Sequence, residues 1–189
     1  MSMDGHAVGD AATCQLLDGR IISLRRIDIE DAGAVAALHQ HLSDHDRYLR
    51  FFTMHPPHLD ELVSTLIEPK EGRYALGAFD GNRLIGVANY TICADPTAAD
   101  IAIVVAHEDH SLGVGTALVK RLAQIAGAHG IRRFVADVLA QNHLMLAVLS
   151  DFGWSHERTN CGSVLHLDIG LPGSVCLSPS KPRAFVKGV

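Results

Sequence analysis

The sequence lacks the features that would assign the chain to a membrane or secreted class. No apolar run approaches the roughly 20 residues that a membrane-spanning helix needs. Residues 1–12 lack the basic start and the apolar segment of a secretory signal. There is no internal repeat at a fixed period either, which argues against solenoids and propellers. We therefore expect a cytoplasmic protein that does not bind membranes.

Cysteines are few, and their spacing does not match the usual zinc sites. The four cysteines lie far apart and form no Cys-x-x-Cys pair, so reduced thiols are the simplest interpretation. The twelve histidines include close groups, but there is no His-Glu-x-x-His and no pair stands beside a cysteine at zinc spacing. We expect solvated or locally hydrogen-bonded histidines and no metal site.

Positive charge is also scarce. The formal net charge is −5 with neutral histidines, and the isoelectric point is about 6.1. This balance argues against a nucleic-acid partner held by bulk positive charge. With 48% hydrophobic and 20% charged residues, the 189-residue chain has an ordinary globular composition, sufficient for one domain with a sizeable core.

The apolar pattern predicts one domain over residues 14–170, preceded by a flexible N-terminus (residues 1–13) and followed by a disordered tail (residues 171–189). Predicted strands occupy residues 21–27, 73–79, 83–93, 100–106, 133–139 and 163–169. Predicted helices occupy residues 29–42, 58–67, 114–130 and 142–153. This order is typical of a mixed α/β (α+β) fold whose first half is largely antiparallel.

Local signals refine the start of this pattern. Asp28 is expected to cap the first helix, with Asp31 at the capping-box position. Asp80-Gly81-Asn82 is a strong hairpin signal between two predicted strands. The predicted buried stripe of the first helix consists of Ile29, Ala32, Val35, Ala36 and Leu38.

The segment from Asp100 to Gly115 carries the clearest functional signal. A predicted strand leads into a polar loop with two glycines, Gly113 and Gly115, and a helix opens directly there. Helix N-termini present unpaired N–H groups and the positive end of a dipole, and glycine lets the backbone approach an anion. The segment therefore predicts a phosphate or pyrophosphate at residues 113–116. Two other phosphate-loop motifs are absent, and a plain strand-to-helix turn would also explain the glycines.

Two motifs favour the phosphate-binding interpretation over the plain strand-to-helix turn. His110-Ser111-Leu112-Gly113-Val114-Gly115 follows a strand at a helix start, and Asn142 is followed eleven residues later by Gly153-Trp154. Together they resemble the pyrophosphate motif and the second motif of the GNAT superfamily of acyl-CoA-dependent N-acyltransferases. The resemblance covers residues 16–170. It implies a central mixed, largely antiparallel twisted sheet flanked by helices, acetyl-CoA as acyl donor, and no metal.

Shorter segments resemble one branch of that superfamily. These are residues 18–20, Ser43 with residues 47–52, residues 86–88, residues 130–134, and residues 138–140 with Asn142. They are most similar to the acetyltransferase domain of bacterial Pat-type protein lysine acetyltransferases, which implies a protein lysine as acceptor. A small amine as acceptor and a non-catalytic acyl-CoA-binding sensor remain alternatives. Oligomeric state and acyl-chain preference stay open.

The resemblance also implies which residues bind acetyl-CoA. Backbone N–H and C=O groups of a splayed strand at Ile103, Val104 and Val105 would meet the pantetheine arm. Asn142 would cap its helix and contact CoA as well. The pyrophosphate would be held by the loop and helix start, namely His110, Leu112, Gly113, Val114, Gly115 and Thr116.

Three positions depart from the superfamily pattern. His110 replaces the usual Gln or Arg, and Leu149 stands where many members carry a tyrosine that protonates the leaving thiolate. Asp100 stands where Pat-like domains tend to have a catalytic glutamate. A lysine amine is mostly protonated at neutral pH, so transfer needs a base. Asp100 is the first candidate and Glu108 the second, while a solvated aspartate and a plain loop glutamate are the alternatives.

Residues 47–52, Arg-Tyr-Leu-Arg-Phe-Phe, lie between the first two predicted helices. In the superfamily this region builds the acceptor side, so one interpretation is an acceptor-facing wall. The other is that Phe51 and Phe52 anchor the core while Arg47 and Arg50 are solvated or paired. We favour the core interpretation for the phenylalanines and leave the arginines open.

Overall fold

The structure is a computed structural model that describes residues 11–53, 58–150 and 156–171, with residues 156–161 described as backbone only. The strands are β1 Ala11–Gln15, β2 Ile21–Arg26, β3 Arg73–Asp80, β4 Arg83–Ile92, β5 Ala98–Val105, β6 Arg133–Leu139, β7 His156–Cys161 and β8 Val164–Gly170. The helices are α1 Ala32–Gln40, α2 Asp44–Phe51, α3 Leu59–Ile67, α4 Val114–Ala128 and α5 His143–Ser150. Short 3-10 turns cover Ile29–Asp31 and His107–Asp109.

The described strands form one sheet in the order β1-β2-β3-β4-β5-β6-β8-β7. Neighbouring strands are antiparallel except β5 and β6, which run parallel with α4 as their crossover. The predicted mixed, largely antiparallel sheet flanked by helices is therefore confirmed. No helix in the described part of the chain is long and apolar enough to cross a membrane.

The sheet separates two apolar layers. On one face α4 packs through Leu118 and Leu122 against strand residues that include Phe134. On the other face α1 and α3 cover β3, β4 and β5, with Val35 and Val104 in their shared core. Burial of apolar side chains on both faces provides the main stabilisation of such a layered domain.

The predicted capping box at the start of the first helical segment is present. The Asp28 side chain accepts from the Glu30 N–H at 2.9 Å, and the Asp31 carboxylate accepts from the Asp28 N–H at 3.1 Å. The predicted stripe is right for Val35 and Leu38, which are buried, and wrong for Ile29, which is 73% exposed. Ile29 lies in a 3-10 turn that precedes α1, so its side chain does not follow the α-helical stripe.

Three elements were not predicted: β1, α2 and β7. Helix α2 begins after Ser43, whose Oγ accepts from the Asp46 N–H at 3.0 Å, and it contains no buried residue. The helix is short and mostly polar, and its apolar residues are confined to its second half, so apolar periodicity did not reveal it. Strand β1 crosses the predicted boundary between residues 13 and 14, so ordered structure starts earlier than predicted.

The C-terminal boundary of the packed domain also lies slightly further along the chain than predicted. Leu171, predicted to open the disordered tail, is 4% exposed, and its N–H donates to the Arg132 carbonyl at 2.8 Å. It therefore belongs to the packed domain. Residues 172–189 lie outside the described residues, as do Gly153 and Trp154 of the second motif.

A buried carboxylate anchors the loop between β5 and α4. Asp109 is 1% exposed, and its Oδ1 accepts from Arg20 at 2.8 Å. Arg83 Nη2 lies 3.2 Å from the same oxygen in hydrogen-bond geometry and 2.9 Å from Oδ2, where the angle does not suit a hydrogen bond. Arg20 comes from the turn after β1 and Arg83 from the start of β4, so Asp109 ties the loop to two sheet segments.

We expect Asp109→Asn to lower the free energy of unfolding by about 2–3 kcal/mol, because it leaves two cations facing a neutral group. Glu108→Gln is the matched control. Its carboxylate also pairs with Arg83 but is 68% exposed, so we expect a loss of at most about 1 kcal/mol. Urea unfolding measures both, and equal losses in the two variants would contradict the anchoring role.

Candidate functional site

The site begins where two parallel strands part. β5 and β6 pair only between Ala98–Asp100 and Arg133–Val135. Beyond these residues β5 stays paired with β4 as far as Val105, and β6 stays paired with β8 as far as Leu139. A wedge therefore opens between β5 and β6, and the sequence expectation of a splayed strand is matched.

Backbone directions show which groups of β5 face this wedge. The Ala106 N–H donates to the carbonyl of Ile85 in β4 at 2.9 Å, so the Val105 carbonyl of the same peptide points away from β4. Because successive strand residues direct their backbone groups to opposite sides, Ile103 and Val105 face the wedge and Val104 faces β4. The backbone role predicted for residues 103–105 therefore suits Ile103 and Val105 rather than Val104.

The N-terminus of α4 closes one end of the wedge. Gly113 caps the helix with φ of 92°, a left-handed conformation that favours glycine. The first helical bond of α4 runs from the Ala117 N–H to the Gly113 carbonyl at 2.9 Å. The N–H groups of the preceding residues are thus available to an anion. A Cβ added at Gly115 would lie 3.3 Å from Val148 Cγ2, so glycine also lets α5 pack closely.

A cavity of about 590 Å³ follows the wedge from α4 to α2. This volume is typical of a small-molecule site. Its apolar walls come from β5, from β6 and from α5 residues such as Met145 and Val148. The predicted binding residues that line it are Ile103, Val104, Val105, His110, Gly113, Val114, Gly115, Thr116 and Asn142.

Charged side chains gather at the α2 end of the cavity. Arg50, Asp100 and Asp137 line this end, whereas Asp46 lines the cavity further along, against His107 and His110 of the loop between β5 and α4. Asp100 is the register partner of Val135, and Asp137 lies two residues further along β6, so both carboxylates project from the same face of the sheet. That face is the one covered by α1 and α3, opposite α4. The charged end and the α4 end of the cavity are therefore separated.

Asp100, the first candidate base, lies at this charged end and keeps access to solvent. Burial raises its pKa, and the Asp137 carboxylate raises it further, while Arg50 and His166 lower it. The carboxylate is thus a stronger base than an ordinary aspartate. Asp100 lines the cavity, and its role as the base stays a prediction.

Glu108, the second candidate, is not brought to the cavity. Its carboxylate accepts from Arg83 at 3.0 Å on the surface and does not line the cavity walls. The 3-10 turn that carries it buries Asp109 and leaves Glu108 outside. This geometry supports the plain loop-carboxylate interpretation of Glu108.

Two other predicted positions differ in detail. Leu112 is not part of the cavity wall, and its carbonyl accepts from the Leu17 N–H at 3.1 Å. His110 lines the cavity, but its Nε2 donates to the Val105 carbonyl at 3.0 Å. This bond holds the imidazole against the β5 edge. Asn142 caps α5 as predicted, its Oδ1 accepting from the Met145 N–H at 3.1 Å.

Histidines near the rim have local partners. Potential ligand atoms of Asp46, His107 and His110 lie within 4.8 Å of one another, as a divalent cation would require. Each group already has a partner, however. His107 Nδ1 lies 3.1 Å from Asp46 Oδ2, and Asp46 also accepts from Ser43 Oγ at 2.6 Å. A cation would have to displace these bonds.

Sequence analysis missed Asp46 and Asp137. Asp46 lies on α2, which the apolar pattern did not reveal. Asp137 interrupts an apolar strand two positions after Val135, the register partner of Asp100, and alternation along β6 was the signal that could have identified it. Arg47 and Arg50, left open, take different roles: Arg47 donates to Asp44 at 3.1 Å and to the Leu42 carbonyl at 3.2 Å, while Arg50 lines the cavity.

Known proteins share this architecture. The sequence model of the Acetyltransferase (GNAT) family matches residues 35–154. An acetyltransferase of Pseudomonas aeruginosa is 26% identical over 155 residues, which cover 79% of this chain and 83% of that protein.

Solved structures of known proteins have a similar fold. The crystal structure of the GNAT domain of S. lividans PAT shares 27% identity at a TM-score of 0.79, covering 88% of this chain and 99% of that one. The spermidine N-acetyltransferase of Vibrio cholerae, solved with CoA and spermine, shares 17% identity at a TM-score of 0.63, covering 79% of this chain and 95% of that one. The second likeness is one of fold alone.

The charges around Asp100 predict opposite effects of two substitutions. Asp137→Asn removes a negative neighbour, so we expect the pKa of Asp100 to fall. Arg50→Gln removes a positive neighbour, so we expect that pKa to rise. Carbon-detected NMR titration of the Asp100 carboxyl measures both, and shifts of the same sign would contradict this arrangement.

Proposed function

The chain belongs to the GNAT family of acetyltransferases, and on that premise we propose that it transfers the acetyl group of acetyl-CoA to a lysine side chain of a protein. The observation that carries the proposal is the wedge between β5 and β6, which leads directly to the glycine-rich start of α4. The wedge offers unpaired backbone groups along one wall and helix N–H groups at its end. An acyl-CoA needs both, for its pantetheine arm and its pyrophosphate.

Acetyl-CoA fits the donor end in this proposal. The N–H groups at the start of α4 and the helix dipole suit the pyrophosphate. Backbone groups of Ile103 and Val105 hydrogen-bond the amides of the pantetheine arm. An N–H of the same edge polarises the thioester carbonyl, where negative charge develops in the transition state.

The acceptor amine enters at the charged end. Deprotonating a lysine ammonium at neutral pH costs roughly 4 kcal/mol, so a base helps. Asp100, whose pKa is raised by burial and by Asp137, takes the proton directly or through a water. The amine nitrogen then forms a bond to the acetyl carbon, and the carbon–sulfur bond breaks.

The leaving thiolate has no tyrosine partner at the position where relatives place one. Leu149 occupies it and is buried in the core around α4. A thiol has an ordinary pKa of about 8.5, so solvent protonates the CoA thiolate readily near neutral pH. Catalysis in this proposal therefore rests on the base and on the oriented thioester.

A protein lysine is supported by the likeness to the GNAT domain of S. lividans PAT, which extends over nearly the whole of both chains. The carboxylates of Asp100 and Asp137 add a local reason, because they attract an ammonium group. A polyamine would respond to the same charge. The two acceptor classes differ in the contacts that a protein surface makes outside the cavity, and such remote contacts help to position the amine.

We expect Asp100→Asn to lower kcat roughly 100-fold while acetyl-CoA affinity is retained, since the amide has the size of the carboxylate but cannot take a proton. Glu108→Gln is the control and should act like the unaltered enzyme. Release of CoA from acetyl-CoA, followed by thiol detection, measures the rate, and calorimetry measures affinity. Equal loss in both variants, or none in either, would remove Asp100 as the base.

The same assay tests the acceptor in competition, with an acetylatable protein, free lysine and spermidine present together. The proposal expects the protein to show the highest kcat/KM. A small amine preferred by an order of magnitude would exclude the protein acceptor. No CoA release above background with any amine would instead favour the non-catalytic sensor.

A further inference from the structure

Arg50 is a half-buried cation for which the described residues provide no hydrogen-bond acceptor. It lines the cavity, and its Nε is fully buried and makes no hydrogen bond. Among the described residues, no carboxylate forms an ion pair with it. The guanidinium lies over the ring of Phe51, whose centroid is 4.9 Å from the Arg50 Cζ. A single cation–π contact satisfies none of the five N–H donors of a guanidinium.

Arg47, one turn earlier on the same helix, shows what a structural arginine looks like in this protein. Its guanidinium donates to the Asp44 carboxylate and to the carbonyls of Gln40 and Leu42 at 3.1, 3.4 and 3.2 Å. These bonds close the turn between α1 and α2. Arg50 makes no such bonds, so its placement is not explained by holding the helix.

Burying a guanidinium without a hydrogen-bond acceptor destabilises its charged form, and the pKa of Arg50 shows this effect. Burial lowers its pKa to about 10, which still leaves it protonated at neutral pH. Asp100 is close enough to stabilise this cation, yet the two side chains form no ion pair. A gap therefore remains between Arg50 and Asp100 inside the cavity, with opposite charges on its two sides.

We propose that Arg50 is a carboxylate-binding residue that receives a carboxylate carried by one of the two substrates, either on the acceptor or on the acyl group. The inference rests on the proposed transferase function and narrows its substrate class. A carboxylate matches the planar donor fork of a guanidinium, and two parallel hydrogen bonds would satisfy two of its five N–H donors.

The neighbouring charges favour a carboxylate over a phosphate. Asp100 and Asp137 lie at the same end of the cavity as Arg50 and oppose a dianion more strongly than a monoanion. A substrate that carries both an ammonium and a carboxylate meets Asp100 with the first and Arg50 with the second. The phosphates of CoA have their own site at the α4 end, so they do not compete for Arg50.

Two sources can supply the carboxylate. An amino acid or an acidic neighbour of the acceptor lysine brings it with the amine. A dicarboxylic acyl group such as succinyl brings it with the thioester. In either case the amine nitrogen bonds to the acyl carbon, the carbon–sulfur bond breaks, and CoA leaves with one proton. Arg50 keeps its protons throughout and acts on specificity.

The test compares matched substrates that differ only in the carboxylate. The donor arm uses succinyl-CoA against butyryl-CoA with one fixed amine. The acceptor arm uses Nα-acetyl-lysine against its carboxamide, and methionine against methioninamide, with acetyl-CoA. Each ratio of kcat/KM is measured in the unaltered protein, in Arg50→Met and in Arg50→Lys. Arg47→Met, which removes a guanidinium from the same helix outside the cavity, is the control.

We expect at least one arm to favour the carboxylate substrate, and Arg50→Met to lower that ratio roughly 10- to 100-fold. Arg50→Lys should retain part of the ratio, and Arg47→Met all of it. Intrinsic differences in reactivity cancel because each pair is compared across variants, and a ratio does not depend on the folded fraction. The arm that responds identifies the source of the carboxylate.

The inference is overturned if, for every substrate pair, the kcat/KM ratio of Arg50→Met stays within twofold of the ratio of the unaltered protein. If Arg50→Met does not fold, Arg50→Lys and calorimetry of succinyl-CoA against butyryl-CoA and of each acceptor pair decide in its place. Turnover of acetyl-CoA without any carboxylate preference contradicts only this inference. Absence of all turnover, with any amine, contradicts the proposed function itself.

Discussion

The separation of β5 from β6 is the constraint on which the site depends. A parallel pair that stops after Asp100 leaves the β5 edge with backbone donors and acceptors that no strand satisfies. Each such group costs roughly 1–3 kcal/mol if buried without a partner. The protein reduces this cost in one place by directing His110 to the Val105 carbonyl. The remaining groups are available to a ligand with amides of its own, and the pantetheine arm of an acyl-CoA is such a ligand.

The rest of the fold holds that wedge open. Antiparallel pairing to β4 on one side and to β8 on the other keeps each strand in place, and α4 fills the crossover between them. Asp109, held by Arg20 and Arg83, fixes the loop that aims α4 at the wedge. The side-chain alternation of β5 and β6 then places Asp100 and Asp137 on the face of the sheet that α1 and α3 cover, opposite the face on which α4 packs.

Sequence patterns predicted the parts of this arrangement that depend on local physics. The capping box at Asp28, the limits of β6 and the start of α4 at Val114 all follow from caps, glycines and apolar periodicity. Helix α2 did not follow, because it is short and mostly polar and has apolar residues only in its second half. The meeting of Asp100 with Asp137 and Arg50 depends on strand register and on α2, which a pattern within one segment does not encode. The position of Glu108 outside the cavity could not be predicted for the same reason, since only the packed loop shows that its neighbour Asp109 turns inward.

The most direct test of the wedge is an amide NMR titration of the unaltered protein with acetyl-CoA. If the backbone edge of β5 receives the pantetheine arm, the amides of Ile103 and Val105 and those at the start of α4 should shift strongly and exchange more slowly with solvent. The amide of Val104, already bonded toward β4, should change far less. Uniform small shifts along β5, or changes confined to the charged end near Asp100, would contradict the account.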